Sequence, residues 1–297
     1  RGGRLGGVSR HVRSEAAAVT AGIGPTTRAA RRPPLLLRVV PLELLAARRP
    51  QRMLERGVMY YRRNWLLFVS GFFEPLLYLM SVQVGFATLV GTVTDGGITY
   101  DYADFVAPAL LASAAMNGAI FDATGGVFEK LSHTKLYDTV LATPMTAADV
   151  ALGEIMTAVV RGALYAVAFV AAMVALGLVG SPLILLAVPV CALIAFAFGA
   201  IGMAYATFMR AWADLEYVNV AIVPMLLFSA TFYPLSSYGE WSWIVRLSPL
   251  YHGVVVVRGC AVGQVEWGML GNLAVLVAVA VGGVAVVSRR VEHLLLR

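Results

Sequence analysis

The densest group of ionisable side chains lies between positions 128 and 138. It holds two acids, a histidine and both lysines of the sequence. No serine–histidine–acid pattern accompanies them, and the other three histidines, at positions 11, 252 and 293, are scattered along the chain. We therefore expect the group to be a polar surface that contacts a partner, with no catalytic residue. Its members are Glu129, Lys130, His133, Lys135 and Asp138, which would face water, and Phe128, Leu131, Leu136 and Tyr137, which would face the membrane.

The rest of the chain offers no cofactor site. The two cysteines, Cys191 and Cys260, lack metal-ligand spacing. A Gly-x-x-x-x-Gly-Lys-Ser/Thr phosphate loop is absent, and no soluble stretch is long enough for a nucleotide-binding domain. The sequence thus predicts that this chain binds no metal or cofactor and hydrolyses no ATP itself.

Composition identifies the elements that must position the polar group. Hydrophobic residues make up 59% of the chain, charged residues 13%, and the mean hydropathy is +0.77, which is typical of a bilayer-spanning protein. Six apolar runs approach the ~20 residues that cross the hydrocarbon core, and the fifth is short. We therefore predict an all-α membrane protein with six transmembrane helices. The runs are Leu66–Val90, Phe105–Thr124, Ala151–Leu176, Leu183–Phe208, Val218–Phe232 and Met269–Val287.

The arginines predict the orientation, because basic residues in flanking loops stay in the cytoplasm. Fourteen arginines precede Trp65, and with six spans 20 of the 23 basic residues fall on the side of the two termini. Both termini are therefore expected to be cytoplasmic. The net charge of +6 then reflects topology and contact with membrane lipids, and gives no support for nucleic-acid binding.

The predicted domains follow from these runs. Residues 1–49 have the composition of a disordered basic cytoplasmic tail. Residues 50–65 place apolar side chains at helical spacing between charged ones, which predicts an amphipathic helix. That helix, which includes Arg56, has two open interpretations: contact with a cytoplasmic partner, or a positively charged membrane anchor. The six-helix domain covers 66–290, and 291–297 form the cytoplasmic C-terminus.

The polar group itself is predicted to form one short helix over about 128–141. Thr143 and Pro144 would end it, and Thr146 would cap the next helix with Asp149 in its first turn. The alternative is an ordinary polar connector. Against that, the loop is longer than two adjacent spans require.

Ionisable residues inside predicted spans should face the bundle or a water-filled path, because each costs at least ~2.5 kcal/mol if it faces lipid. Glu74 precedes Pro75, whose missing N–H weakens the helix, so Glu74 and the nearby Tyr78 are candidates for a pathway or gate. The alternatives are a buried pair with Arg161 or a snorkelled side chain. Asp122 and Glu154 could join Arg161 in an internal ion network, for which a structural role is the stronger interpretation.

Residues 235–263 are too polar to cross the bilayer cleanly, yet they carry Trp241 and Trp243 beside Arg246. Tryptophans favour the membrane interface. The segment is therefore predicted to dip partway into the outer leaflet, and a simple surface loop is the alternative.

Several motifs together resemble the permeases of type-2 ABC exporters, over about residues 50–290. The branch of the NodJ-like nodulation lipo-oligosaccharide permeases, related to drug-resistance permeases, is the most similar. The motifs are Phe105-Val106-Ala107-Pro108-Ala109-Leu110-Leu111, Phe121-Asp122-Ala123-Thr124, Lys135-Leu136-Tyr137, Leu141-Ala142-Thr143-Pro144, Glu74-Pro75-Leu76-Leu77-Tyr78 and Phe232-Tyr233-Pro234-Leu235.

The resemblance implies a half-transporter in the bacterial inner membrane. Two permease chains, identical or related, would form the pathway above two copies of a separate ATP-binding subunit, which would hold ATP and Mg. Residues 129–138 would be the coupling helix that docks on this ATPase, the helix at 50–65 the connecting helix, and 235–263 a re-entrant hairpin beside the exit.

The resemblance implies an amphipathic cargo: a glycolipid or lipo-oligosaccharide, with a hydrophobic drug second. The stretch 236–243 and the long basic tail depart from the family pattern, which weakens the transfer of cargo identity but leaves the coupling loop untouched. The competing classes are an ion-coupled secondary transporter or channel, and a structural membrane subunit.

Overall fold

The computed structural model describes residues 50–63, 73 and 75–295. Its helical elements include long apolar helices, short helices in the loops and 3-10 turns. In chain order they are α1 Pro50–Arg63, α2 Pro75–Val90, α3 Tyr102–Phe121, α4 Val127–Ser132, α5 Leu136–Leu141, α6 Ala147–Ala175, α7 Ala187–Ala206, α8 Leu215–Leu227, α9 Ser242–Leu247, α10 Pro249–Val262 and α11 Met269–Leu295.

Four helical segments in the described part of the chain are long and apolar enough to cross a membrane: Tyr102–Ser132, Ala148–Ala175, Pro182–Ala206 and Met269–Arg290. The chain is thus a multi-pass helical membrane protein. The first predicted span begins outside the described residues and continues into α2. The fifth coincides with α8, which has only 13 residues. The membrane-spanning segment Tyr102–Ser132 consists of α3 and α4, which are joined by a π-helical stretch, Asp122–Gly126.

Helix α7 packs against α3, α6 and α11, and glycines allow the close approach. A Cβ added at Gly162 of α6 would lie 2.5 Å from the Cβ of Ala195, and one added at Gly202 would lie 2.8 Å from the carbonyl oxygen of Ile120. Small residues permit such contacts between helices without a hydrophobic driving force from water. They therefore fix the bundle in which the charged side chains sit.

The all-α prediction needs one correction. Between α2 and α3 a β-hairpin pairs β1, Thr92–Asp95, with β2, Ile98–Asp101, in antiparallel register. Gly96 and Gly97 form its turn with positive φ, which glycine adopts without steric cost. Val93 and Tyr100 point inward and pack against the core, whereas Thr94 and Thr99 are exposed.

The segment 235–263 contains a 3-10 stretch, Leu235–Trp241, followed by α9 and α10. Ser248 has extended backbone angles and Pro249 begins α10, so the chain turns between the two helices. Helix α10 packs against α3, α7 and α11. The segment thus contains two helices joined by a turn, and its predicted dip into the outer leaflet stays a prediction.

Candidate functional site

The predicted helix at 128–141 is wrong in one respect, because the structure divides it into α4 and α5. The residues between them are His133, Thr134 and Lys135; the first two are weak helix formers, and Lys135 has a φ of 45°. A left-handed residue cannot continue a right-handed helix. The polar group therefore sits on a helix–turn–helix rather than on one rod. We call this region, with the adjoining residues 207–214, the α4–α5 end.

An aromatic cluster fixes the first of these helices. Phe128 is buried, and its ring meets that of Trp212 edge-on with centroids 5.5 Å apart. The imidazole of His133 lies 6.1 Å from Phe128 and 6.0 Å from Trp212. Phe128 was predicted to face the membrane, but Trp212, from the loop between α7 and α8, covers it instead. No local pattern indicates this contact, since 84 positions separate the two rings.

Lys130, predicted to face water, instead binds α6. Its Nζ donates a hydrogen bond of 2.6 Å to Oε2 of Glu154, whose side chain is 7% exposed while that of the lysine is 34% exposed. A buried carboxylate needs such a cation, because an unpaired charge away from water is costly. The pair anchors α4 on α6, and it separates Glu154 from the ion network in which the sequence had grouped it with Arg161.

Tyr137 anchors the second helix. Its side chain is 2% exposed and belongs to a buried apolar cluster that includes Met53 of α1 and Ile155 of α6. Burial raises the pKa of Tyr137 well above its ordinary value, and the charge of Glu154 adds to the effect, while exposed Arg56 on α1 opposes it. The prediction that Tyr137 faces the membrane is therefore wrong, since protein surrounds it.

What remains accessible is a short polar strip. Glu129, His133 and Lys135 are exposed, and Leu131 and Leu136 are half-buried. The side chain of Asp138 lies outside the described residues. Because Phe128, Lys130 and Tyr137 hold the strip from beneath, it presents charged groups on a fixed base. A surface of this kind is suited to binding a polar partner.

Helix α1 lies on the same base. Met53 is buried against the core, and a Cβ added at Gly57 would lie 2.5 Å from Cγ2 of Thr157 on α6. Arg52, Glu55 and Arg56 remain exposed, with Arg52 and Glu55 3.6 Å apart. Helix α1 thus contacts the bundle through Met53 and Gly57.

Two caps stiffen the loops around the strip. The Thr146 hydroxyl accepts a bond from the backbone N–H of Asp149, and the Asp149 carboxylate accepts one from the N–H of Thr146, which is a capping box at the start of α6. Asp214 accepts bonds from the backbone N–H groups of Arg210 and Ala211, which lower the pKa of its carboxyl. These bonds define where the helices begin.

Deeper in the bundle, Arg161 of α6 and Asp122 form an ion pair of 3.0 Å between Nη1 and Oδ1. Arg161 also donates to the Tyr165 hydroxyl at 3.1 and 3.2 Å. Glu74, the other predicted member of a pathway, lies outside the described residues. Tyr78 is 53% exposed on α2. The structure therefore brings Asp122 and Arg161 together and leaves Tyr78 on the outer surface of this single chain.

We call residues 92–101 and 235–272 the hairpin end; they comprise the β-hairpin, the segment with α9 and α10, and the start of α11. The predicted exit residues in this region are exposed. Trp241 and Trp243 expose 65% and 59% of their surface, and Arg246 is exposed beside them. The ring of His252 lies between the carbonyl oxygen of Arg246, 2.9 Å from Nε2, and the side chain of Asn272, 2.7 Å from Nδ1. This contact ties α10 to the start of α11.

Sequence reasoning missed Arg258, which lies within the segment 235–263 that was predicted to be too polar to cross the bilayer. It is 6% exposed on α10, and its guanidinium stacks on the Phe105 ring at 3.8 Å. It donates to the carbonyl oxygens of Phe105 at 3.2 Å and Ala230 at 2.7 Å, and it lies 3.6 Å from Asp95 on β1. Neighbouring positions along the chain carry no signal of this burial, because every one of these partners is distant in sequence.

Within the described residues there is no group of three or more His, Cys, Asp or Glu side chains that could hold a metal. A groove of about 630 Å³ runs along α11 between Leu270 and Ala285, and the side chains that line it are apolar. It lies apart from the charged clusters, and a lipid-facing helix offers such a surface without a specific ligand.

Comparison with known proteins places these features in a family. The profile of the ABC-2 type transporter family matches residues 51–261. Nodulation protein J of Rhizobium meliloti (strain 1021) is 26% identical over 217 residues, which cover 70% of this chain and 81% of that protein. Nodulation protein J of Rhizobium leguminosarum bv. trifolii is 28% identical over 193 residues, covering 64% and 72%. The match includes the α4–α5 end and most of the hairpin end.

Proposed function

The chain belongs to the ABC-2 type transporter family, and from this we propose that it is a six-span permease whose α4–α5 strip docks on a separate ATPase. It is the transmembrane subunit of an ABC exporter and not an enzyme. Two permease chains, this one with a copy of itself or with a related chain, form the pathway, and two ATPase subunits bind ATP and Mg beneath it. In this proposal the assembly lies in a bacterial inner membrane with both termini in the cytoplasm.

One observation supports the docking step most directly: the strip is exposed on its outer side and anchored on its inner side. Glu129, His133 and Lys135 are accessible to a partner, while the Lys130–Glu154 bond and the Phe128–Trp212 contact link the strip to α6 and to the loop after α7. A force applied to α4 would therefore reach the helices of the bundle. Contiguous packed side chains carry such coupling between sites.

The pathway is proposed to involve Glu74, Tyr78, Asp122 and Arg161. An ionised residue within a span is costly if it faces lipid. Asp122 and Arg161 are mostly buried inside the protein, and each neutralises the charge of the other. A Glu74→Gln variant that reaches the membrane in normal amounts should lose ATP-dependent export. Unchanged export in that variant would remove Glu74 from the pathway.

The proposed cargo is an amphipathic molecule, with a glycolipid or lipo-oligosaccharide first and a hydrophobic drug second. Apolar residues dominate the spans, and the relatives compared above are nodulation proteins. The α9–α10 pair, with Trp241, Trp243 and Arg246 exposed, is proposed to be the re-entrant hairpin beside the exit.

The experiment for docking is gentle purification of the tagged chain from its native membrane, followed by mass spectrometry of the proteins that accompany it. A Glu129→Ala/Lys135→Ala variant removes one acid and one base from the exposed strip and leaves the buried anchors intact. We expect wild type to retain an ATPase with a phosphate-binding loop and the variant to lose most of it, because exposed charges at an interface contribute to its stability.

Glu266→Ala/Arg246→Ala is the matched control, since it also removes one exposed acid and one exposed base, but at the hairpin end. It should retain the ATPase at the wild-type level. Equal retention by all three proteins would overturn the docking surface. The absence of an ATPase from every sample would instead favour an ion-coupled secondary transporter or a channel.

A further inference from the structure

We propose that Arg258 is a positioning residue that latches the β-hairpin onto α10, and that Asp95 is the point at which this latch releases. Arg258 belongs to α10, and its side chain contacts three segments that lie far from it in sequence: the hairpin, the start of α3 and the residues after α8. The latch is inferred from these contacts alone. That its release opens an exit for the cargo rests on the proposed function.

The contacts use three different nitrogen atoms of the guanidinium. Nε donates to the Phe105 carbonyl, Nη2 donates to the Ala230 carbonyl, and Nη1 faces the Asp95 carboxylate. Phe105 belongs to α3, and Ala230 is a buried turn residue after α8, so both partners hold the cation in place. Asp95 is different, because it belongs to a two-stranded hairpin whose first turn residue, Gly96, is exposed.

The charge balance gives Asp95 its importance. A buried cation needs a counter-charge, and within the described residues Asp95 is the carboxylate within 4 Å of Arg258. The side chain of Asp95 is 25% exposed, so water can solvate its carboxylate when the hairpin moves away from Arg258. The separation of 3.6 Å is longer than a tight ion pair, which suits a contact that forms and breaks.

Only one face of the hairpin participates. Side chains alternate along a strand, and Val93, Asp95, Ile98 and Tyr100 face inward. The Tyr100 ring contacts that of Phe105, with centroids 6.1 Å apart, so Phe105 contacts both Tyr100 and the Arg258 guanidinium. The apolar contacts are few, and a two-stranded hairpin is marginally stable by itself. Loss of the ion pair should therefore lift the hairpin without unfolding the bundle.

The alternation also supplies a matched pair of reporters. In a Cys191→Ala/Cys260→Ala background, Val93→Cys places a thiol on the inner face and Thr94→Cys places one on the exposed face. A water-soluble maleimide is applied to the detergent-solubilised protein, in which both membrane faces are accessible, and labelling rates are compared with Asp95 intact and with Asp95→Asn. Asp101→Asn is the control, because Asp101 is the exposed carboxylate at the other end of the hairpin.

We expect Asp95→Asn to raise the labelling rate at position 93 by roughly ten-fold, up to the rate at position 94, as expected for the loss of one charge-assisted contact. The rate at position 94 should stay constant, Asp101→Asn should behave like the parent, and Asp95→Glu should restore slow labelling. A general loss of structure would also expose the buried thiol of Cys191. In the detergent-solubilised protein with Cys191 as its one cysteine, Asp95→Asn should therefore leave the labelling of that thiol slow.

Equal labelling at position 93 in the parent and in the Asp95→Asn variant would overturn the latch, as would an equal increase in the Asp101→Asn protein. The labelling needs no ATPase, so it decides the latch separately from the proposed function. With the ATPase present, ATP turnover should also increase labelling at position 93 of the parent, which retains Asp95. A constant rate there would count against ATP-driven opening, and the first comparison would still decide the latch.

Discussion

An ion pair of one cation and one carboxylate lies near each end of the Tyr102–Ser132 segment, but the buried partner is reversed. At the α4–α5 end the acid, Glu154, is buried and the base, Lys130, is a third exposed. At the hairpin end the base, Arg258, is buried and the acid, Asp95, is a quarter exposed. The partner on the short peripheral element, α4 or the β-hairpin, is thus the hydrated one in both cases.

The two cations also differ in chemistry. Arginine can donate to several acceptors in fixed directions, and Arg258 uses this to join two backbone carbonyls and a ring. The lysine ammonium is a point charge on a flexible stem, and Lys130 makes a single short bond to Glu154. The hairpin end is therefore organised around one multivalent residue, whereas the α4–α5 end distributes its anchoring over an ion pair, an aromatic cluster and buried Tyr137.

The largest expected effect that tests this contrast comes from Arg258→Met. The change keeps apolar bulk but removes every polar contact of the guanidinium and leaves Asp95 without its counter-charge. We expect a loss of about 3 kcal/mol of stability, seen as a melting temperature in detergent lower by roughly 6–12 °C. Arg246→Met, an exposed change on α9, should shift it little. If the two variants melt alike, the hairpin end is not organised around Arg258.

Lys130→Met should have a smaller effect, because the α4–α5 end has other anchors. Removing the cation leaves Glu154 buried and unpaired, and we expect a loss of about 2 kcal/mol. Adding Glu154→Leu should recover part of it, since a buried pair replaced by apolar residues is often tolerated. Lys135→Met, which changes an exposed lysine five positions away, is the control. A Lys130→Met protein as stable as this control would mean that the ion pair contributes nothing.

The smallest effect is expected for the aromatic cluster. A double-mutant cycle with Phe128→Ala and Trp212→Ala should give a coupling energy of about 1 kcal/mol, beyond the two individual losses. The comparison cycle pairs Phe128→Ala with Trp267→Ala, since Trp267 is 88% exposed and belongs to the loop before α11. Its coupling should be close to zero. Equal coupling in both cycles would show that the edge-on contact does not link α4 to the 207–214 loop.

Much of the coarse architecture was predictable. The long apolar runs identify the membrane-spanning helices, and the motif at 141–144 with Thr146 correctly marks the end of the polar loop and the start of α6. The β-hairpin also had a readable signal in Thr92-Val93-Thr94-Asp95-Gly96-Gly97-Ile98-Thr99-Tyr100, where β-branched residues flank a Gly-Gly turn. Polar and apolar residues alternate in this stretch, so it falls outside the long apolar runs that define the predicted spans.

The roles of individual side chains in the site were less predictable. Periodicity can assign a face to Phe128 or Tyr137, but it cannot say whether lipid or protein covers that face, because both are apolar environments. Similarly, the grouping of Glu154 with Arg161 followed from proximity along α6. The structure instead joins Glu154 to Lys130 and Arg161 to Asp122, since pairing depends on which helices pack together.

The amino-acid order alone was enough to establish that this protein lies in a membrane and carries one polar loop rich in charge between two spans, because hydropathy and charge are local properties that need no partner. It took the folded chain to establish that Trp212 covers Phe128 and that Arg258, 153 positions from Phe105, is buried against it. Burial and ion pairing depend on residues that the fold brings together from distant positions. A single helix with its own pattern does not contain that information.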